Sequence, residues 1–427
     1  MRRTLPLTAR LAASVGFLGL GEVPSQGIMH TPHQTPTRRH FLGAILAAAA
    51  SASGTSRAMA PDSLGSLSTT EKTLHDFVTT RMMDDDGLCR SFPCAATLAP
   101  WTNEDLAKTD QRLITDMFQN APDKAGCLSY ENALMATGEF AVSQIVRYRV
   151  TKDDAARESA HRAIRAILAV IKEGCYYMPG WLPKPFGGLR NARNSHEMST
   201  DQYTKALVAL HAWQALATKE ERGLIDRFFV DAAEFFIARK FRHAYRHRTI
   251  VTAETHHHAL GLFVPLVVLA AEASGDARYR QHLAAFNAAM DAAMNDDVLA
   301  NFNMTSLVAE GYFVAMQAGH DDPRLLQTIK RLWQLGTKRI DATGEGYEEG
   351  KPPKRDAQAT RLAAIATIVE ALDPATHATS LAPKILSRHT DVRRMTHTRL
   401  PESIAEVSIT SWLVAYWRLR EWEARRG

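Results

Sequence analysis

The sequence of 427 residues lacks the short motifs that mark nucleotide and redox chemistry. It has no glycine-rich phosphate loop, no GxSxG elbow and no dinucleotide-binding fingerprint, and its four cysteines include no CxxC pair. The sequence therefore gives no indication of a nucleotide-binding enzyme, an α/β serine hydrolase, a zinc ribbon or a thioredoxin-like site.

A net charge is also missing once the first 60 residues are set aside. Residues 1–60 hold six of the 51 basic residues and one of the 46 acidic ones, so the rest of the chain has 45 of each. A nucleic-acid partner is therefore not expected. The hydrophobic content of 45%, the charged content of 23% and the mean hydropathy of −0.22 are those of a globular chain. They exclude membrane-spanning, disordered and collagen-like proteins.

The N-terminal region resembles a twin-arginine export signal. Thr37-Arg38-Arg39-His40-Phe41-Leu42-Gly43 precedes a short apolar run, 44–50, and the small-x-small sequence Ala58-Met59-Ala60. That run is far shorter than the ~20 residues needed to span a bilayer. The resemblance implies a leader of residues 1–60, cleaved after Ala60, with the twin-arginine export machinery as a partner. The predicted location is periplasmic or secreted, with no membrane association after cleavage, and residues 61–427 are predicted to form one domain.

Export to an oxidising compartment would permit disulfides among Cys89, Cys94, Cys127 and Cys175. Cys89 and Cys94 flank Arg-Ser-Phe-Pro in an irregular stretch, so a local bridge between them is one possible pairing.

Helical periodicity dominates after residue 60, and alternating strand patterns are scarce. Apolar residues recur at i, i+3, i+4, i+7 spacing in a series of segments. These are 103–119, 131–150, 154–172, 199–217, 220–239, 254–273, 276–293, 303–318, 322–335, 356–372 and 407–424, with a weaker one at 379–387. Tight turns, such as 218–220, alternate with long segments, such as 174–198. This alternation is typical of helical hairpins.

Six such hairpins predict an all-α (α/α)6 toroid with inner and outer helix rings. Inner helices would start near Glu131, Ser199, Glu254, Asn303, Asp356 and Val407, and outer ones near Asn103, Asp154, Glu220, Asp276, Asp322 and Thr379. Tight turns fall on one rim, so every inner helix begins on the long-loop rim at the central cavity. An open α-solenoid has the same local signature, but the count of six favours closure.

The predicted starts of the inner helices are rich in carboxylates, histidines and aromatic residues. Capping explains any one acidic residue there, but convergence on one rim indicates a binding site. The candidate substrate-binding residues are Asn132, Trp181, His196, Gln202, Tyr203, His257, Tyr347 and Arg355. Consecutive histidines on a helix, His256 to His258, point about 100° apart. No metal site and no cofactor are therefore predicted.

Two stretches resemble the bacterial six-hairpin glycosidases. The segment 130–140, YENALMATGEF, is similar to their first inner helix, and Ser199-Thr200-Asp201-Gln202 is similar to their Ser-x-Asp-Gln motif. In the related unsaturated glucuronyl and rhamnogalacturonyl hydrolases an inner-helix aspartate is the general acid/base. The resemblance implies that role for Asp201.

The predicted function is an exported glycoside hydrolase acting on an oligosaccharide, with uronic-acid-containing chains among the candidates. One carboxylic acid protonates the leaving oxygen while a second carboxylate attacks or activates water. Asp201 is the predicted acid/base, with Glu131 or Glu254 as the second carboxylate. The loop aromatics Tyr176, Tyr177, Trp181 and Phe186 either form a sugar-binding wall or pack into the rim.

Two alternatives stay open. A polysaccharide lyase of the same architecture would abstract a proton with His196, Tyr203 or one of His256 to His258, while Asn194 or Arg193 neutralised the carboxylate. A non-catalytic glycan-binding toroid would need no acid/base at all.

Overall fold

The computed structural model describes residues 62–109, 121–245, 248–251, 259–297 and 301–426. Helices dominate these residues. In the chain order given next, the even-numbered helices form an inner ring, and the odd-numbered helices lie outside it. In chain order they are α1 Ser68–Phe77, α2 Ala133–Thr151, α3 Asp154–Cys175, α4 Thr200–Trp213, α5 Lys219–Ala238, α6 Leu260–Ser274, α7 Asn287–Ala293, α8 Phe302–Gln317, α9 Pro323–Thr337, α10 Ala359–Leu372, α11 Ala382–Arg388 and α12 Glu406–Arg426.

Shorter elements connect the long helices. The α-helical turns are Asp62–Gly65, Asn103–Ala107, Lys124–Leu128 and Arg278–Gln281, and a π-helical turn, Val78–Met82, continues α1. The 3-10 segments are Leu189–Asn194, His282–Phe286, Pro374–Thr376, Ala378–Ser380 and Val392–Arg394. Two antiparallel pairs complete the description, β1 Arg242–Tyr245 with β2 Arg248–Val251, and β3 Thr396–His397 with β4 Leu400–Ile404.

The two layers follow from the distribution of apolar residues. In the inner helix α6 every residue from Leu260 to Ala271 is buried, because neighbouring helices enclose it on all sides. The outer helix α9 instead buries one stripe that includes Leu325, Ile329 and Leu332. An outer helix has a solvent face, so its pattern is amphipathic.

Local caps set the tight turns. Thr218 and Glu221 form a capping box at the start of α5. Gly275 ends α6 at a φ of +72°, a left-handed conformation that glycine adopts without strain. Asp322 accepts a hydrogen bond from the backbone of Arg324 at the start of α9. These turns connect each inner helix to the next outer one, as the hairpin pattern predicts.

The last inner helix packs against the first, so the hairpins close into an (α/α)6 toroid. Helix α12 contacts both α10 and α2, and Thr410 Oγ1 donates to Glu139 Oε2 at 2.6 Å across the α12–α2 boundary. Elsewhere in the ring, a Cβ on Gly311 would lie 1.8 Å from the carbonyl oxygen of Gly261, so α6 and α8 need glycine at this approach. The predicted toroid is confirmed, and the open-solenoid alternative is wrong.

The outer helix at the boundary where the ring closes is α1, which the sequence analysis did not predict; a helix does begin at Asn103, as predicted, but within the described residues it ends at Ala107. Trp417 of α12 donates from Nε1 to Glu71 of α1 at 2.9 Å, which places α1 beside the boundary where the ring closes. The turn Asn103–Ala107 packs instead in a separate small cluster with Leu400; residues 110–120 lie outside the described ones. Only three of the ten residues of α1 are buried. This buried stripe is too short for the sequence periodicity to predict the helix.

All four cysteines lie in the described part of the chain and are free thiols. Cys89 and Cys94 are both buried but belong to different apolar clusters. The backbone N–H of Cys89 donates to Thr137 of α2 at 2.9 Å, whereas Cys94 pairs with Ser403 of β4. The local disulfide that the sequence allowed does not form, because the two cysteines are tied to different elements.

The predicted leader, residues 1–60, lies outside the described residues. Within the ranges that the structure describes, none of the helices has both the length and the apolar character needed to cross a bilayer.

Candidate functional site

The starts of neighbouring inner helices lie side by side at one rim. Asn132, just before α2, donates from Nδ2 to Glu406 Oε1 at the start of α12, at 3.1 Å. Gln202, in the first turn of α4, donates from Nε2 to the carbonyl oxygen of Glu131 at 2.5 Å. Arg361, in the first turn of α10, donates to the side chain of Asn303 at the start of α8. The helix starts are therefore linked in two groups, those of α4, α2 and α12 and those of α10 and α8.

Asp201 keeps partial solvent access at this rim. Its neighbours Gln202 and Tyr203 are buried, whereas Asp201 is half-buried. The N–H of Gln202 donates to Asp201 Oδ1 at 2.8 Å, and the N-terminal end of α4 favours a negative charge there. Glu131 and Glu406, at the adjoining helix starts, are buried. Asp201 is thus the more accessible of these three carboxylates.

Glu131 is held by the long segment before α4 and by α4 itself. Its Oε1 lies 2.5 Å from Lys184 Nζ, and both side chains are almost fully buried. Gln202 binds the Glu131 carbonyl oxygen, while its own Oε1 accepts a hydrogen bond from the N–H of Leu134 at 3.3 Å. The Lys184 cation stabilises the negative charge of Glu131.

Tyr203 anchors the loop before α4. Its hydroxyl donates to the carbonyl oxygen of Gly180 at 2.8 Å and accepts from the N–H of Leu182 at 2.6 Å. Burial raises the pKa of Tyr203 well above its usual range. Trp181, which lies between Gly180 and Leu182 in the sequence, is 9% exposed and packs against Phe235 of α5 with ring centroids 5.7 Å apart. Tyr203 and Trp181 therefore fix the loop, and their predicted contact with substrate stays a prediction.

Glu406 is a buried carboxylate that the sequence analysis did not single out. It accepts hydrogen bonds from the N–H of Phe92 at 2.9 Å and from Asn132 Nδ2. Burial raises the pKa of Glu406 to about 7, although these bonds and the charge of Arg361 act in the opposite direction. The predicted helix began at Val407, one residue later. The sequence did contain one signal for Glu406, namely an acidic residue at the expected start of the sixth inner helix.

Glu406→Gln should remove a pH-dependent part of the free energy of unfolding. The pKa of about 7 in the folded protein exceeds the ordinary 4.5. The folded state therefore binds the proton more tightly, and wild-type stability falls as pH rises from 4.5 to 7. Relative to wild type, the variant should gain on the order of 2–3 kcal/mol over this interval. Urea unfolding across pH measures the gain, with Glu104→Gln, an exposed carboxylate, as the control. Parallel stability curves for Glu406→Gln and wild type would contradict it.

Three other residues that were predicted to bind substrate make their contacts within the loops that carry them. His196 is exposed, and its ring meets that of Tyr177 edge-on with centroids 6.0 Å apart. Tyr347 is buried, and its hydroxyl donates to Asp341 Oδ2 at 3.0 Å. Arg355 is exposed and pairs with Tyr347 through the backbone. The residues at the α2 and α4 starts, by contrast, contact one another directly.

Glu254 and His257 lie outside the described residues. Among the residues that are described, no three His, Cys, Asp or Glu side chains are grouped closely enough to hold a metal ion.

Buried charges from five inner helices cross the toroid between these starts and its opposite rim. Lys205 of α4 lies 3.0 Å from Glu139 of α2 and also pairs with Glu310 of α8. Arg361 lies 3.1 Å from the same Glu139 oxygen, and Arg418 of α12 lies 2.7 Å from Glu310. Burial alone would raise the pKa of Glu310, but Lys205 and Arg418 lower it to about 2. Acidic and basic side chains from the inner helices are therefore paired and buried inside the ring.

Comparison with solved structures identifies the class to which this architecture belongs. An unsaturated glucuronyl hydrolase specific for heparin aligns with a TM-score of 0.52 and 12% identity, over 86% of this chain and 99% of that one. A glycosidase variant, and another glycosidase variant in complex with glucose, each align with a TM-score of 0.50 and 14% identity, over 84% of this chain and 99% of theirs.

The chain therefore has the (α/α)6 fold of the six-hairpin glycosidases. Its sequence matches no protein-family model and no curated protein.

Proposed function

We propose that this protein is an exported, carbohydrate-active enzyme, a glycoside hydrolase that acts on an oligosaccharide. The observation that carries the proposal is the half-buried Asp201 in the first turn of an inner helix, held on a toroid whose structural neighbours are glycosidases. The twin-arginine pattern around Arg38 and Arg39 supports export.

Asp201 acts as the general acid/base. It protonates the glycosidic oxygen as the bond to the anomeric carbon breaks, and a water molecule supplies the new hydroxyl group. Glu131 or Glu254 is the second carboxylate. Lys184 Nζ lies beside Glu131, and a carboxylate paired with a cation in this way suits a charge-stabilising group.

The hydrolase is favoured over the lyase by the surroundings of one candidate lyase residue, Tyr203. The Tyr203 hydroxyl is held between the backbone of Gly180 and that of Leu182, and its raised pKa makes it a poor base.

Product analysis separates these reactions. On a panel of oligosaccharides with and without uronic acid, the protein should release new reducing ends without a new ultraviolet chromophore. A hydrolase adds water across the broken bond, whereas a lyase leaves a carbon–carbon double bond that absorbs in the ultraviolet. If that absorbance appeared in step with cleavage, the protein would be a lyase and not a hydrolase.

A further inference from the structure

We infer that Tyr176, Tyr177 and Arg193 form a platform that binds the outer sugar units of an acidic oligosaccharide. The inference rests on the proposed function and extends it, from the bond that is cleaved to a part of the substrate that lies outside the ring of inner helices.

The two tyrosines are unusual in their exposure. Tyr176 is 61% exposed and Tyr177 is 56% exposed; in the described part of the chain, the other large hydrophobic side chain left this open is Leu224, at 48%. One exposed ring needs no explanation, but two exposed rings at consecutive positions at the end of α3 offer apolar area that a partner can cover. A tyrosine ring has a flat apolar face and a hydroxyl group, which suit the C–H face and the hydroxyls of a sugar.

The tyrosines are also fixed in place. The ring of Tyr177 contacts that of Trp181, with centroids 5.5 Å apart, and that of His196. Trp181 in turn packs on Phe235 of α5. The backbone N–H of Tyr177 donates to the carbonyl oxygen of Gly174 at 2.9 Å, at the end of α3. A sugar binding here would meet ordered rings, so little conformational entropy is lost on binding.

Arg193 supplies the charge that selects an acidic sugar. Its guanidinium carbon lies 3.7 Å from the centroid of the Tyr176 ring, and its Nε donates to Glu173 Oε2 at 2.9 Å. These contacts orient a planar group with five N–H donors, a geometry that matches a carboxylate. Arg190, one 3-10 turn earlier, is exposed as well. A chain bearing uronate groups fits this surface better than a neutral one.

The platform belongs to the segment that leads to Asp201. Residues 176–199 run from the end of α3 to the start of α4. Within this segment, Lys184 Nζ pairs with Glu131 at the start of α2, and the N–H of Lys184 donates to the carbonyl oxygen of Glu197 at 2.8 Å. The same stretch of chain therefore carries the tyrosines and packs against the helix starts of the candidate site.

Native gel electrophoresis in the presence of polygalacturonate or alginate tests the platform on the full chain. The parent protein is the Asp201→Asn variant, so that binding is measured without turnover, and both acidic polymers should slow its migration. Adding Tyr176→Ala and Tyr177→Ala should weaken this retardation about fivefold or more, and adding Arg193→Gln should also weaken it. Adding Leu224→Ala, an exposed apolar side chain on α5, is the matched control and should leave it unchanged. A neutral polymer, dextran, should slow none of these proteins.

Equal retardation of the parent and the double tyrosine variant would overturn the platform. No retardation of the parent by either acidic polymer, or equal retardation by dextran, would overturn it as well. Thermal unfolding midpoints of the variants show whether a loss of binding reflects a loss of folding. The proposed function fails separately, because full turnover by the Asp201→Asn protein would refute the acid/base role and leave the binding result intact.

Discussion

Replacing Asp201 by Asn should lower the turnover of a cleaved oligosaccharide by about a thousandfold or more, with the fold retained. Asparagine has nearly the same size, and its Oδ1 can still accept the hydrogen bond from the N–H of Gln202. It carries no ionisable proton, however, so it can neither protonate the leaving oxygen nor accept a proton from water. Reducing-end rates and a thermal unfolding curve provide the measurement.

Glu220→Gln is the matched control for this experiment. Glu220 also lies in the first turn of a helix, α5, but that turn is on the opposite, tight-turn rim and is exposed. The control should keep wild-type rates. If Asp201→Asn stayed within about threefold of wild type, the acid/base role would be contradicted. Glycan binding without cleavage by the wild-type protein would then favour the non-catalytic toroid.

Replacing Glu139 by Gln should lower the free energy of unfolding by about 3–5 kcal/mol at neutral pH. Glu139 is the carboxylate that pairs with both Lys205 and Arg361, and Arg361 is fully buried. Glutamine keeps the volume and can still accept the hydrogen bond from Thr410, but it leaves the buried cations without that negative charge. Urea unfolding followed by far-ultraviolet circular dichroism measures the loss.

The matched control here is Glu158→Gln, which breaks an exposed ion pair. Glu158 lies 3.4 Å from Arg165, and its side chain is 70% exposed. Water and salt screen such a pair, so its removal should change stability little. If Glu139→Gln lost no more stability than this control, the charges at the centre of the toroid would not be a major source of its stability.

The fold could be predicted from sequence because its signals are local. The uninterrupted apolar run of α6, the amphipathic stripe of α9 and the cap at Thr218 depend on residues a few positions apart. Helix α1 was missed for the same reason, since its buried stripe is short and it contacts α12, which is far away in the sequence. The rim that carries Asp201 followed from the alternation of tight turns and long segments.

The partners of the candidate residues could not be predicted in this way. Nothing local indicates that Lys184 binds Glu131, 53 residues earlier, or that Glu406 is enclosed by Phe92 and Asn132. A carboxylate near a helix start is a cap, a catalytic group or part of an ion pair according to what lies across from it. That information is absent from the segment itself.

The sequence by itself determined most of the segments that become helices and the order in which inner and outer helices alternate, because hydrophobic periodicity and capping act within one or two turns. The tertiary structure decided that the ring closes, as the bond from Thr410 to Glu139 joins residues 271 positions apart. It also decided which carboxylates are buried and paired and that Asp201 keeps access to solvent. Burial and charge pairing depend on distances between helices, which only the folded chain sets.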